Sequence, residues 1–140
     1  MTRPLEFLSD DDEVLLRSTG IQLRYSPGDA IIKAGTAVPG LFVVWHGRVR
    51  IELNDRSGQE ALAFIEPAHI FGEGTLLGDE RARISIVAED EVRADVIDGV
   101  AIRELIAARP DFATRLFRSV ASALVERMSR LAERAAPPFP

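Results

Sequence analysis

Cysteine is absent from this chain of 140 residues. That single absence removes disulfide frameworks, thiolate metal sites and cysteine nucleophiles together. Histidine is scarce: His46 stands beside a turn glycine and His69 alone before Ile70. A metal centre needs at least three converging ligands, so none is expected and both histidines read as structural or surface residues. Ser18, Ser26, Ser57 and Ser85 lie in no nucleophile-elbow context, so the chain is not expected to be an enzyme. No unbroken apolar run exceeds that of Leu41 to Trp45, far too short to span a bilayer. The opening "MTRPLEFLSDDDE" lacks the cationic and apolar regions of a secretion signal, and a cytoplasmic protein is expected. Lysine occurs once, at Lys33, so positive charge is carried almost wholly by arginine; the net charge of −5 argues against wrapping nucleic acid unaided.

What is present suits one compact domain over residues 1–140, with 46% hydrophobic and 28% charged residues. Within residues 1–20, "SDDDEVLLRSTG" predicts a short helix. Ser9 is a good N-cap, Asp10 to Glu13 suit the positive end of the helix dipole, and Gly20 ends it. The acidic run reads as a solvated helix start rather than a metal site.

Residues 21–97 read as a β-core. The segments "IQLRY", "AIIKA", "LFVVW", "RVRIELN", "QEALAFI", "ISIVA" and "VRADVI" are separated by turn residues. Many short strands at such spacing predict an antiparallel sandwich or barrel. In "RVRIELN", Val49, Ile51 and Leu53 alternate with Arg48, Arg50 and Glu52, which marks one inward face.

Residues 98–135 turn helical. Asp98 is a plausible N-cap for a helix carrying Ile102, Leu105 and Ile106, and Pro110 with Asp111 opens a second helix of roughly 38 Å. Its wide apolar stripe includes Phe112, Leu116, Phe117, Val120, Leu124, Met128 and Leu131. Arg127, Arg130 and Arg134 sit where the dipole favours cations. "APPFP" cannot continue it.

The glycine pattern of "GDAIIKAG" (28–35), Gly47 in "LFVVWHGRVRI", and "FGE" followed by "LLG" in an ordered set resemble the cyclic nucleotide-binding domain family, here as a bacterial stand-alone module. The resemblance covers nearly the whole chain. It implies a mainly β jelly roll (a double-stranded β-helix) with a short N-terminal helix and two C-terminal helices. It also implies cAMP or cGMP as ligand, no other cofactor, and a phosphate-binding cassette over 71–85. Ligand candidates are Gly72, Glu73, Gly74, Thr75, Arg81, Ala82, Arg83, Ile84 and Ser85. Gly72 would let backbone approach the ligand, and a short helical turn starting near Gly74 would aim N–H groups at an anion. The resemblance gives Glu73 the ribose 2′-hydroxyl. Leu124, Met128 and Leu131 become lid or interface candidates on the last helix, whose near-heptad stripe suggests a homodimer or a partner protein. Trp45 is expected in the core or an interface.

The cassette departs from the family pattern at its cation. Nine residues after Glu73, where the family has its phosphate arginine, this chain has Ala82. Alternation puts Ala82, Ile84, Ile86 and Ala88 on the inner face and turns Arg83 and Ser85 outward. Arg81 can serve only if the loop is shortened by one residue. Ile84 crowds the pocket, Ala68 and His69 replace a glycine and an aspartate, and Gly74 replaces a larger apolar residue. The resemblance therefore implies a sensor with weakened affinity, or a degenerate domain that only dimerises or binds protein. No recognition helix follows Leu131 in this sequence, so direct DNA reading is not expected.

Overall fold

A computed structural model describes residues 3–55, 58–78 and 81–135, with backbone only at 54, 55, 58–62, 134 and 135. The order is α1 (Asp10–Thr19), β1 (Ile21–Tyr25), β2 (Ala30–Ile32), β3 (Gly40–His46), β4 (Val49–Asp55), β5 (Gly58–Ile65) and β6 (Ile70–Phe71). A 3₁₀ turn (Glu73–Leu77), β7 (Ser85–Ala88), β8 (Val92–Asp98), α2 (Gly99–Ala108) and α3 (Pro110–Ala135) follow. Two antiparallel four-stranded sheets face each other, ordered β1-β8-β3-β6 and β2-β7-β4-β5. This is the expected jelly-roll core with one helix before it and two after.

The chain builds two cores because β3 is buried on both faces. Phe42 and Val44 point between the sheets, with Val49, Ile51, Phe71, Ile86 and Ala94. Leu41 and Val43 point outward, beneath the helices, with Ile70, Ile97, Ile102, Phe112 and Leu116. A strand covered on both sides has no polar face, which explains the unbroken apolar run. At its end Trp45 lies outside the core, 36% exposed. Its indole N–H donates to Asp95 Oδ2 at 2.8 Å, and the Arg17 guanidinium lies 6.0 Å from its ring centre. On β4, Val49 and Ile51 turn inward as expected, but Leu53 is exposed beyond a bulge between Ile51 and Glu52.

The acidic helix start is not simply solvated. Ser9 and Asp12 form a reciprocal capping box at 2.9 and 3.1 Å. Asp12 is 5% exposed and accepts two hydrogen bonds from Arg115 of α3, at 2.6 and 2.9 Å. The guanidinium holds the Asp12 carboxyl down to about 2, helped by the Ser9 backbone and side chain against the opposing effect of burial. Just before α1, the Phe7 N–H donates to Ser119 Oγ at 2.9 Å, Glu6 bonds Ser122, and Arg118 lies over the Phe7 ring. The N-terminal segment thus straps the first half of α3 to the domain.

Candidate ligand-binding cassette

The cassette begins where β6 leaves the sheet. Ile70 and Phe71 pair with Val43 and Phe42, and the Phe42 and Phe71 rings stack 4.5 Å apart. The chain then reverses at Gly72, whose φ of 79° is left-handed. A Cβ there would lie 2.4 Å from the Gly40 carbonyl oxygen. Gly72 is therefore required by its packing on β3, whatever a ligand asks of it.

The short helical turn starts at Glu73, one residue before the expected position, and is a 3₁₀ turn. Its middle is bolted to α2. Thr75 is fully buried, and Arg103 donates to its carbonyl at 2.7 Å and to its hydroxyl at 3.2 Å. Gly99 opens α2 because any Cβ there would sit 2.2 Å from Thr75 Oγ1. Gly74 is different: a Cβ there would meet nothing within 4 Å. Its position borders open space.

Glu73 is engaged from α3. Its Oε1 accepts a hydrogen bond from Arg127 Nη1 at 2.7 Å, and the same guanidinium donates through Nη2 to the Ile70 carbonyl. The two side chains are only 19% and 24% exposed. The helix dipole alone does not single out Arg127. A signal was available: Arg127 continues the inward positions Leu116, Val120 and Ala123, and a cation on an otherwise apolar stripe needs an acid opposite.

The second half of the cassette supplies no inward cation among the described residues. Ala82 and Ile84 pack against the core between the sheets. The Ala82 backbone is fixed by hydrogen bonds with Thr36 and Gly35 at 2.8 and 2.7 Å. Arg83 is exposed. Arg81 is exposed too, bridges to Ala37, and donates to the Gly35 carbonyl at 2.9 Å. Ser85, expected to face outward, is instead buried, because its hydroxyl accepts from the Ala34 N–H at 3.0 Å. The part of the cassette at 79–80 lies outside the described residues.

The lid or interface candidates divide. Leu124 packs on the helix-side core, while Met128 is 70% exposed and Leu131 lies at the surface. Between α3 and the β5–β6 turn runs an open groove of about 910 Å³, lined by Phe64, Ile65, His69, Ala123, Arg127 and Leu131 among others. Its β5–β6 wall contains Ala68, left-handed at φ 67°, where the family has glycine. His69 Nδ1 lies 3.1 Å from the Pro67 carbonyl.

Elsewhere, Arg50 joins Glu52 and Glu89 at 2.5 and 2.7 Å, which raises the guanidinium above its ordinary range. Glu52 is buried, and its Oε1 has no hydrogen-bond partner among the described residues. Among those residues no acidic or histidine cluster could hold a metal, and no helix is long and apolar enough to cross a membrane.

Comparison with known proteins agrees with this geometry. Residues 22–109 match the model of the cyclic nucleotide-binding domain. The chain is 28% identical over 129 residues to human cyclic nucleotide-gated channel beta-3, covering 90% of this chain and 15% of the channel. It is 29% identical over 107 residues to a CRP-like cAMP-activated global transcriptional regulator of Mycobacterium tuberculosis, covering 76% of this chain and 48% of the regulator. The chain thus spans less than half the length of either protein. Among solved structures, the N-terminal domain of a Streptomyces coelicolor transcriptional regulator superposes with a TM-score of 0.73 at 26% identity, covering 86% of each chain. The family match takes in most of the β-core, the cassette and α2, and on that ground the chain belongs to the cyclic nucleotide-binding domain family.

Proposed function

We propose that this chain is a regulatory module that senses cAMP or cGMP with weakened affinity and signals through α3. The observation that carries the reading is the mechanical continuity of the cassette with both C-terminal helices. Thr75 is tied to Arg103 of α2 and Glu73 to Arg127 of α3, so a ligand that takes Glu73 disturbs α3 directly. The weakening follows from Ala82 on the inner face. A hydrogen bond to a charged phosphate is worth about 1.5–3 kcal/mol, so its loss weakens binding roughly tenfold to over a hundredfold. In this reading the module performs no catalysis, works in the cytoplasm and reads no DNA by itself.

Calorimetric titration with cAMP and cGMP tests the proposal. Measurable heats that Glu73→Ala abolishes support it. No heat with either nucleotide at millimolar concentration refutes the sensor reading.

The exposed face of α3 favours a second reading, a degenerate domain that dimerises or docks a protein. Phe117, Ala121, Leu124, Met128 and Leu131 follow alternating four- and three-residue steps along it, and all but Leu124 are exposed. Such a seam suits a second copy of the same helix. Sedimentation of the unmodified chain distinguishes the two: a dimer that forms without nucleotide, together with silent calorimetry, selects the second reading.

A further inference from the structure

We propose that Arg127 is an internal occupant of the cassette: it holds Glu73 while the pocket is empty, and a nucleotide binds by displacing it. This rests on the sensor reading above and adds the regulation of that site. A single guanidinium clamps both ends of the "IFGE" reversal, through the Ile70 carbonyl and the Glu73 carboxylate. Most of each side chain is shielded from water, so the pair is screened less than a surface ion pair.

The competition is unequal. An incoming ribose offers Glu73 a neutral hydroxyl, whereas Arg127 offers a full cation, and charge-assisted hydrogen bonds are about twice as strong as neutral ones. With Ala82 on the inner face, the cyclic phosphate meets no cassette arginine there to tip the balance. Apparent affinity is then the intrinsic affinity reduced by the fraction of molecules with the clasp open.

Displacement also has a mechanical output. The first half of α3 stays strapped by Asp12, Phe7 and Glu6. Among the described residues from Leu124 onward only Leu124 packs on the core, while Val125, Met128 and Leu131 are exposed. Opening the clasp frees the distal half without unfolding the proximal half.

The test uses the full chain, comparing wild type with Arg127→Ala, Arg127→Lys and Glu73→Gln. Hydrogen exchange is measured first, without nucleotide. Arg127→Ala and Glu73→Gln should each speed amide exchange over 124–135 by roughly fivefold, the factor for about 1 kcal/mol, while the β-core keeps its protection. Arg127→Lys should fall between. Unchanged exchange in both disrupting variants, with the β-core intact, overturns the proposal.

Calorimetry with cAMP comes second. Arg127→Ala should bind roughly three- to tenfold more tightly than wild type. Weaker binding by Arg127→Ala makes Arg127 a ligand contact and overturns displacement while leaving the sensor reading standing. If neither wild type nor Arg127→Ala binds cAMP or cGMP, the sensor reading itself falls and the clasp is only a structural tie. A variant that fails to fold shows as lost β-core protection, and the other disrupting variant then decides.

Discussion

The two halves of α3 are one helix held in two different ways. The proximal half lies on a core, with Phe112, Leu116, Ser119 and Val120 buried, and is strapped from outside by the N-terminal segment through Arg115 and Ser119. The distal half meets the domain through Leu124, the groove wall and the Arg127 clasp, and shows Val125, Met128 and Leu131 to solvent. Burying apolar area anchors a helix permanently, whereas one ion pair holds it conditionally. The difference separates the part of α3 that keeps the fold from the part that can report on the cassette.

The comparison is broken most severely at Leu116. Its side chain is fully buried between α3 and the outer face of β3. Leu116→Ala should destabilise the whole domain by about 2–5 kcal/mol, read as a lower urea midpoint with both halves of the helix lost together. A loss below about 1 kcal/mol would mean that the proximal half is not an anchor.

Asp12 comes next. Asp12→Ala leaves Arg115 without its bidentate partner and should cost about 1–3 kcal/mol. The strap also sets an acid limb. The folded carboxyl titrates at about 2, below its ordinary 3.8, so its contribution is present above pH 3.8 and is lost as pH falls through about 2. The Arg115 side chain is 40% exposed, so that contribution is on the order of 1 kcal/mol after screening. Urea melts across this window should show the drop in wild type and a flatter profile in Asp12→Asn. Parallel profiles would show that the strap contributes nothing through charge.

These same residues show which parts of the molecule sequence makes legible. Strand alternation is local, so Val49 and Ile51, or Ile86 and Ala88, declare their inward face within a few positions. The apolar residues Ala82 and Ile84 just before β7 pack against the same core and leave Arg83 between them exposed. β6 escaped because two residues carry no period. Asp12 and Arg127 escaped for a different reason. Their partners, Arg115 and Glu73, lie 103 and 54 positions away, and each charge had a sufficient local explanation in the helix dipole. Gly72 reads in the sequence as a glycine that lets a ligand approach, whereas the Gly40 carbonyl that a Cβ would strike belongs to a strand that only the fold brings near. Local periodicity sets the layers, whereas the ties between them depend on tertiary contact.

The smallest effect on stability is expected at Met128, and there the comparison is sharpened rather than broken. The side chain is 70% exposed on the distal half, one turn beyond Leu124 and beside the clasp residue Arg127. Truncating an exposed side chain removes little buried area, so Met128→Ser should move the urea midpoint by no more than about 0.5 kcal/mol equivalent. The same change sits in the middle of the seam from Phe117 to Leu131, where a second copy would bury it. Sedimentation should therefore show weaker self-association of Met128→Ser with its melt unchanged. A matching loss of stability would place Met128 against its own domain and make the distal half a second anchor. An unchanged melt with unchanged association would remove the seam from the interface and leave the Arg127 clasp as the distal half's one specific tie among the described residues.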